Sequence, residues 1–191
     1  HGTLAKHPSL KIRYVTCEAM LNDYVDCVAH KQDFVNFRKR YRSVDVLMVD
    51  DIQFLTGKES LQDEFFNTYN ELYTRGKQIV MTSDKPPKDI ARLEERLCSR
   101  FEWGLKVDIK RPDVETRIAI LRKKAESENI PVGDDVLQLI AERVDSNIRE
   151  LEGALNQIIN FAKLKHTNRV DEEIAKEVLK DMIEPEKARP I

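Results

Sequence analysis

Two hydrophobic periods alternate along the first half of this chain, and only one persists in the second half. "LKIRYVT" (Leu10 to Thr16) follows His7-Pro8-Ser9 and alternates apolar with polar positions, the period-two pattern of a strand. Glu18 to Ala29 and Asp33 to Tyr41 carry helical spacing. "VDVLMV" is a β-branched-rich run without a polar face, which predicts a strand buried on both sides of a parallel sheet. Glu59 to Arg75 reads as an amphipathic helix with Leu61, Phe65, Tyr69 and Leu72 on one stripe and Gly76 placed to end it. "QIVMTSD" (Gln78 to Asp84) predicts a further buried strand, and Pro86-Pro87 forces a turn after it. "WGLKVDI" (Trp103 to Ile109) predicts another strand. Alternating strand and helix implies a parallel sheet with crossover helices.

The pattern changes at "KRPDVETR". Pro112 follows the last expected strand, and Asp113 is placed to cap a helix. Beyond it the spacing predicts helices alone, over Val114–Ser127, Gly133–Val144, Asn147–Lys165 and Asp171–Ile183, with breaks at Ile130-Pro131 and His166-Thr167-Asn168. "EPEKARPI" has two prolines and no period. The expected organisation is an α/β part over residues 1–111, an all-helical part over 112–183 and a linker over 184–191.

Composition narrows the class. At 191 residues the chain is long enough to bury a real core, and with 35% charged residues its surface is heavily ionic. A formal net charge of −2 gives no general attraction to nucleic acid, so any such contact needs a local patch. Residues 1–42, ending in "FRKRYR", carry eight Lys and Arg against four Asp and Glu, a local excess of +4. Three widely spaced cysteines (Cys17, Cys27, Cys98) without a CxxC pair argue against a disulfide framework or zinc site, and for a reducing compartment. No apolar run approaches the roughly 20 residues of a membrane span, and no signal-peptide pattern is present. These features predict a soluble cytoplasmic protein.

The candidate chemistry sits where strands end. Ligands of open α/β sheets bind at the carboxyl ends of the strands. Asp50 and Asp51 stand at one such end, Ser83 and Asp84 at another. Adjacent carboxylates suit Mg²⁺, which prefers one or two of them together with phosphate oxygens and water. Two other readings stay open at this point. The acids can simply cap the next helix. They can also be the Mg²⁺ site of a receiver-type phosphoacceptor, with Thr82, Ser83 and Lys85 nearby, although that fold has no helical second half. Arg96, Arg100 and Arg149 supply guanidinium groups suited to phosphate, and equally suited to surface ion pairs.

Five strings in order, "VDVLMVDDIQFLTGKESLQDEFFNTYNEL", "QIVMTSDKPPKDI", "RLCSRFEWGL", "DVETRIAIL" and "SNIRELEGALN", resemble the AAA+ ATPase domain of bacterial DnaA-type chromosomal replication initiators. The resemblance runs from about Leu10 to Ile183. It implies an α/β AAA+ fold of the P-loop type, a parallel sheet with crossover helices followed by an all-α lid. It also implies ATP or ADP and Mg²⁺ as ligands. "VLMVDD" then corresponds to the Walker B strand, with Asp50 holding Mg²⁺ through water and Asp51 polarising the attacking water. Asp84 matches the sensor-1 position and Arg149 the sensor-2 arginine of the lid. Arg100 matches the arginine finger that acts on a neighbouring subunit's ATP, and Arg96 matches a position supporting the inter-subunit contact. Cys17 to Arg42 matches the initiator-specific helical insertion. Leu21, within it, and Lys58 match positions facing single-stranded DNA, while Ser60 stands where relatives can carry a further basic residue.

What the resemblance implies for function is weak ATPase activity in an intact parent protein, with ATP acting as a switch for head-to-tail self-assembly on origin DNA that promotes duplex opening. A replicative helicase and regulators would be met through other domains. A regulatory paralogue of the initiator, or a helicase loader, carries the same module. The Gly-rich GxxxxGK[ST] phosphate loop and a C-terminal helix-turn-helix are not among these residues, and the sequence is expected to be part of a longer polypeptide. The strand preceding that loop would leave a gap among the chain's own strands.

Overall fold

The computed structural model describes residues 2–29, 34–128, 131–165, 167 and 170–183. The expected linker over 184–191 lies outside them. The chain divides into two compact units, His1–Val107 and Asp108–Ile191.

The first unit runs α1 (Gly2–Lys6), β1 (Ile12–Thr16), α2 (Cys17–Ala29), α3 (Phe34–Arg42), β2 (Val46–Asp50), α4 (Glu59–Thr74), β3 (Gln78–Met81) and α5 (Glu95–Glu102). Single 3₁₀ turns at Ile52–Leu55 and Pro87–Asp89 follow β2 and β3. The sheet is parallel with order β1-β2-β3, Thr16 opposite Asp50 and Val49 opposite Met81. Val15, Leu47 and Val49 point into a core shared with Met20, Phe37, Leu61 and Phe65, so α2, α3 and α4 cover one face. α4 ends as its glycine predicts. Gly76 sits at φ +64°, with its N–H on the Tyr73 carbonyl (2.9 Å) and the Lys77 N–H on the Leu72 carbonyl (2.9 Å), the paired bonds of a Schellman stop.

Three expectations need correction. "VDVLMV" is buried on one side only. Leu47 and Val49 are 1% exposed, whereas Val46 and Met48 are half-buried, because the described helices pack against a single face. The strand expected over Trp103–Ile109 does not form. Leu105, Val107 and Ile109 are 94%, 75% and 90% exposed, and no described strand lies alongside to accept a ladder of hydrogen bonds. An apolar run becomes a strand only where a neighbour can pair with it.

The third concerns charge. The arginines in the basic run at the end of α3 are paired with acids, although Arg38 and Arg40 keep about half of their side-chain surface exposed and Lys39 is exposed. Arg42 bonds the carboxylates of Glu64 and Glu71 (2.8 Å to Glu71) and the Thr68 hydroxyl (3.1 Å), all on α4. Arg38 reaches Glu64 at 3.3 Å. Arg40 bonds Asp23 of α2 at 2.6 Å, and the buried Tyr41 hydroxyl donates to the same carboxylate at 2.5 Å. Burial pushes the Asp23 carboxyl up, but Tyr41 and Arg40 together hold it net below its ordinary value. The arginines bind α2, α3 and α4 into one block. Sequence counts charge, whereas only the fold sets each charge against its partner.

Among its described residues the second unit has four helices, α6 (Val114–Ser127), α7 (Asp134–Arg143), α8 (Ile148–Leu164) and α9 (Glu172–Ile183). The Asp113 side chain accepts from the Thr116 N–H at 2.8 Å and starts α6 as expected. On α8 the buried positions Leu151, Ala154, Leu155, Ile158, Ile159 and Ala162 follow the helical period. They pack with Leu121, Ile140 and Leu179 in a core of this unit's own.

Candidate functional site

Parallel pairing brings three strand ends together in the first unit. Asp50 ends β2, and Thr82 follows β3 directly, with its N–H on the Val49 carbonyl (3.1 Å) and its carbonyl accepting from Ile52 N–H (3.0 Å). The Thr82 hydroxyl donates to Asp50 Oδ1 and accepts from the Asp51 N–H at 3.0 Å. From the other side the Tyr14 hydroxyl of β1 donates to Asp50 Oδ2 at 2.6 Å. That bond, with the negative charges of Asp50 and Asp51, raises the Tyr14 phenol above its ordinary value. Asp51 adopts the left-handed conformation (φ 60°, ψ 52°), which costs a non-glycine residue on the order of 1 kcal/mol. The backbone turns sharply there, and Gln53 donates to Asp51 Oδ1 at 3.0 Å. Beneath it the buried Cys17 thiol is pushed up to about 12 by burial, with a smaller push from Asp51, so it is inert as a nucleophile. Asp84 is exposed on the turn after β3.

No cluster of three or more His, Cys, Asp or Glu side chains able to hold a metal occurs among the described residues. Asp50 and Asp51, adjacent at one strand end, are the donor set suited to a cation that takes one or two carboxylates and completes its shell with phosphate and water, which is the habit of Mg²⁺.

α5 presents two of the expected arginines. Leu97 and Phe101 anchor it, with Phe101 edge-on to Phe65 at 5.9 Å. Arg96 is held within its own chain. It bonds Glu94 at 2.5 Å and Asp63, lies 4.6 Å over the Phe66 ring, and these acids raise its already high pKa. Arg100 makes no ion pair among the described residues and rests 5.5 Å from the Trp103 ring. Tyr69 donates to its carbonyl at 3.3 Å. Lys58 is exposed at the start of α4, while Leu21 of α2 is half-buried against the core.

In the second unit Arg149 stands exposed in the first turn of α8. Asn147 caps that helix, accepting from the Glu150 N–H at 2.8 Å. A groove of about 860 Å³ runs between this turn and the segment 109–112, with Arg149, Lys110 and Gly153 among its lining. Arg117 fixes the segment by donating to the Pro112 (3.1 Å) and Ala141 (2.9 Å) carbonyls.

Residues 1–108 match the family model described as the bacterial DnaA ATPase domain. The chain belongs to the DnaA family. It is 53% identical over 183 residues to the DnaA chromosomal replication initiator of Caldanaerobacter subterraneus subsp. tengcongensis, covering 96% of this chain and 41% of that protein. It is 49% identical over 192 residues to the initiator of Lachnoclostridium phytofermentans, covering 100% and 42%. The chain thus spans about two-fifths of these DnaA relatives. Domain III of Thermotoga maritima DnaA superposes with a TM-score of 0.90 at 41% identity, over 96% of this chain and 76% of that one. AMPPCP-bound DnaA from Aquifex aeolicus gives 0.76 at 35% identity, over 95% and 55%. The AAA+ fold class expected from the motifs is that of these neighbours, and the receiver-type reading of the acids loses its support.

Sequence reasoning put Asp50 and Asp51 at a strand end but missed Tyr14 and Gln62. Gln62 is fully buried on α4, donating to the Leu55 (2.8 Å) and Arg92 (2.9 Å) carbonyls and accepting from the Glu94 N–H (2.9 Å). It ties the turn after Asp51 to the approach of α5. The available signal was a polar residue beside the apolar stripe of α4.

Proposed function

We propose that this chain is the ATP-binding AAA+ module of a bacterial replication initiator, in which bound ATP drives head-to-tail assembly on origin DNA and favours strand opening. The observation that carries the reading is the carboxylate pair at the carboxyl end of β2, in a family whose solved relatives include one bound to AMPPCP and one bound to AMPPCP and single-stranded DNA. Asp50 would hold Mg²⁺ through water, Asp51 would polarise the attacking water, and Asp84 would lie by the γ-phosphate. Mg²⁺ supplies positive charge to the phosphate oxygens when bound. From the lid, Arg149 would contribute a guanidinium at a helix N-terminus, where anions are favoured. Hydrolysis would be weak and the protein cytoplasmic. Leu21 and Lys58 would face single-stranded DNA, and a replicative helicase and regulators would be engaged by other parts of the initiator.

Arg100 would act in trans as the arginine finger, with Arg96 supporting the same inter-subunit contact. A guanidinium without an ion-pair partner among the described residues supports that reading for Arg100. Arg96, already paired with Glu94 and Asp63, is better suited to shaping the surface around it. Arg100→Ala should leave ATP affinity within about twofold while abolishing ATP-dependent oligomers, since a trans residue contributes only after assembly. Sedimentation with ATP and with ADP tests it, and the emission of Trp103, the single tryptophan, reports the contact directly. Weakened ATP binding with normal assembly would overturn the role. Arg149→Ala should blunt the preference for ATP over ADP in equilibrium binding, and an unchanged ratio would count against the lid reading.

A further inference from the structure

We propose that Tyr14 and Thr82 are positioning residues that aim the Asp50 carboxylate at a nucleotide-bound divalent cation. The inference rests on the reading of Asp50 as the cation-facing acid.

Three adjacent strands contribute one group each. Thr16 pairs with Asp50 in the β1–β2 register, so Tyr14, two residues earlier on β1, lies on the same sheet face as Asp50. Thr82 flanks Asp50 from the β3 side. The two carboxylate oxygens are thus bonded from opposite sides, Oδ2 by Tyr14 at 2.6 Å and Oδ1 by Thr82. Donors on both oxygens fix the rotation of the carboxylate about its Cβ–Cγ bond, which a single donor would leave free.

The two hydroxyls do different work. Tyr14 is 60% exposed, and its hydroxyl bonds the acid. Thr82 donates to Asp50 while accepting from Asp51 N–H, so one hydroxyl links the direction of the carboxylate to the left-handed turn at Asp51. A group that holds a cation through water relies on direction more than contact, because its partner is a small oriented molecule.

Losing an outer-shell partner costs roughly 10–100-fold in affinity for a directly ligated metal, and less is expected through a water. Labelled ATP binding by the intact protein, titrated with Mg²⁺ and repeated in EDTA, reads the effect without relying on hydrolysis. Tyr14→Phe should raise the Mg²⁺ midpoint by about three- to tenfold and leave binding in EDTA unchanged. Thr82→Val should raise it likewise, and Thr82→Ser, which keeps the hydroxyl, should restore it. Asp50→Asn should remove the Mg²⁺ dependence altogether. A purely structural role for the hydroxyls would shift the melting temperature and leave the midpoint in place. An unmoved or lowered midpoint in Tyr14→Phe, alongside loss of Mg²⁺ dependence in Asp50→Asn, overturns this proposal alone. Mg²⁺ dependence that survives Asp50→Asn, or no Mg²⁺-dependent binding in the unaltered protein, overturns the reading beneath it as well.

Discussion

Arg42→Ala should lower the stability of the first unit by about 3 kcal/mol, read as a fall in the urea midpoint of the intact protein at unchanged slope. Arg42 is one of the least exposed charged side chains of α3, at 14%, and Glu64 opposite it is at 9%. Breaking a buried pair by removing one partner costs roughly 3–5 kcal/mol, because the other charge stays buried without its counter-ion. The lower end applies here, since Arg38 remains 3.3 Å from Glu64 and keeps part of its compensation. Truncation also strands the Thr68 hydroxyl and loosens Glu71. Against a total of about 5–15 kcal/mol for a typical domain, this is a large share. Replacing both partners, as in Arg42→Met with Glu64→Leu, should recover most of the loss, because apolar packing needs no counter-ion. A single-variant loss below about 1 kcal/mol would mean that the pair is well solvated and that the block of α2, α3 and α4 is held by its apolar core instead.

Gln62→Leu should cost about 3 kcal/mol with little change in packed volume. Leucine fills a similar space but leaves the Leu55 and Arg92 carbonyls and the Glu94 N–H without their partner. Each buried group left unmade costs about 1–3 kcal/mol, and partial relaxation of the two loops toward water reduces the total below the sum. Gln62→Glu should be less damaging than leucine only at low pH, where a protonated carboxyl can still donate one bond. The functional consequence follows from what Gln62 joins. Residues 52–55 follow the Asp50-Asp51 pair, and residues 92–94 lead into the helix carrying Arg96 and Arg100. Amide exchange should therefore rise in both segments at once in Gln62→Leu. Faster exchange in only one of them would show that the clamp does not couple them.

Local signals carried much of this molecule. The period-two run before Thr16, the apolar stripe of α4 with Gly76 beyond it, Asp113 ahead of α6 and the helical period of α8 each depend on residues a few positions apart, and each formed near its expected bounds. The acids of the candidate site were equally legible, because a strand end followed by two carboxylates is a contiguous string. Its remaining parts were not. Tyr14 lies 36 residues from Asp50 and Thr82 lies 32, and nothing in either local string names the partner.

What the sequence by itself determined is most of the elements and the family whose motifs they carry, since caps, stripes and strand-end acids are encoded in adjacent positions. What only the tertiary structure decided is which of those residues meet. It set the arginines of α3 against Glu64, Glu71 and Asp23, with Arg42 largely covered. It left the apolar run at 103–109 unpaired, because a strand exists only beside another. Pairing, of charges or of strands, is a property of distance in space, and distance along the chain does not contain it.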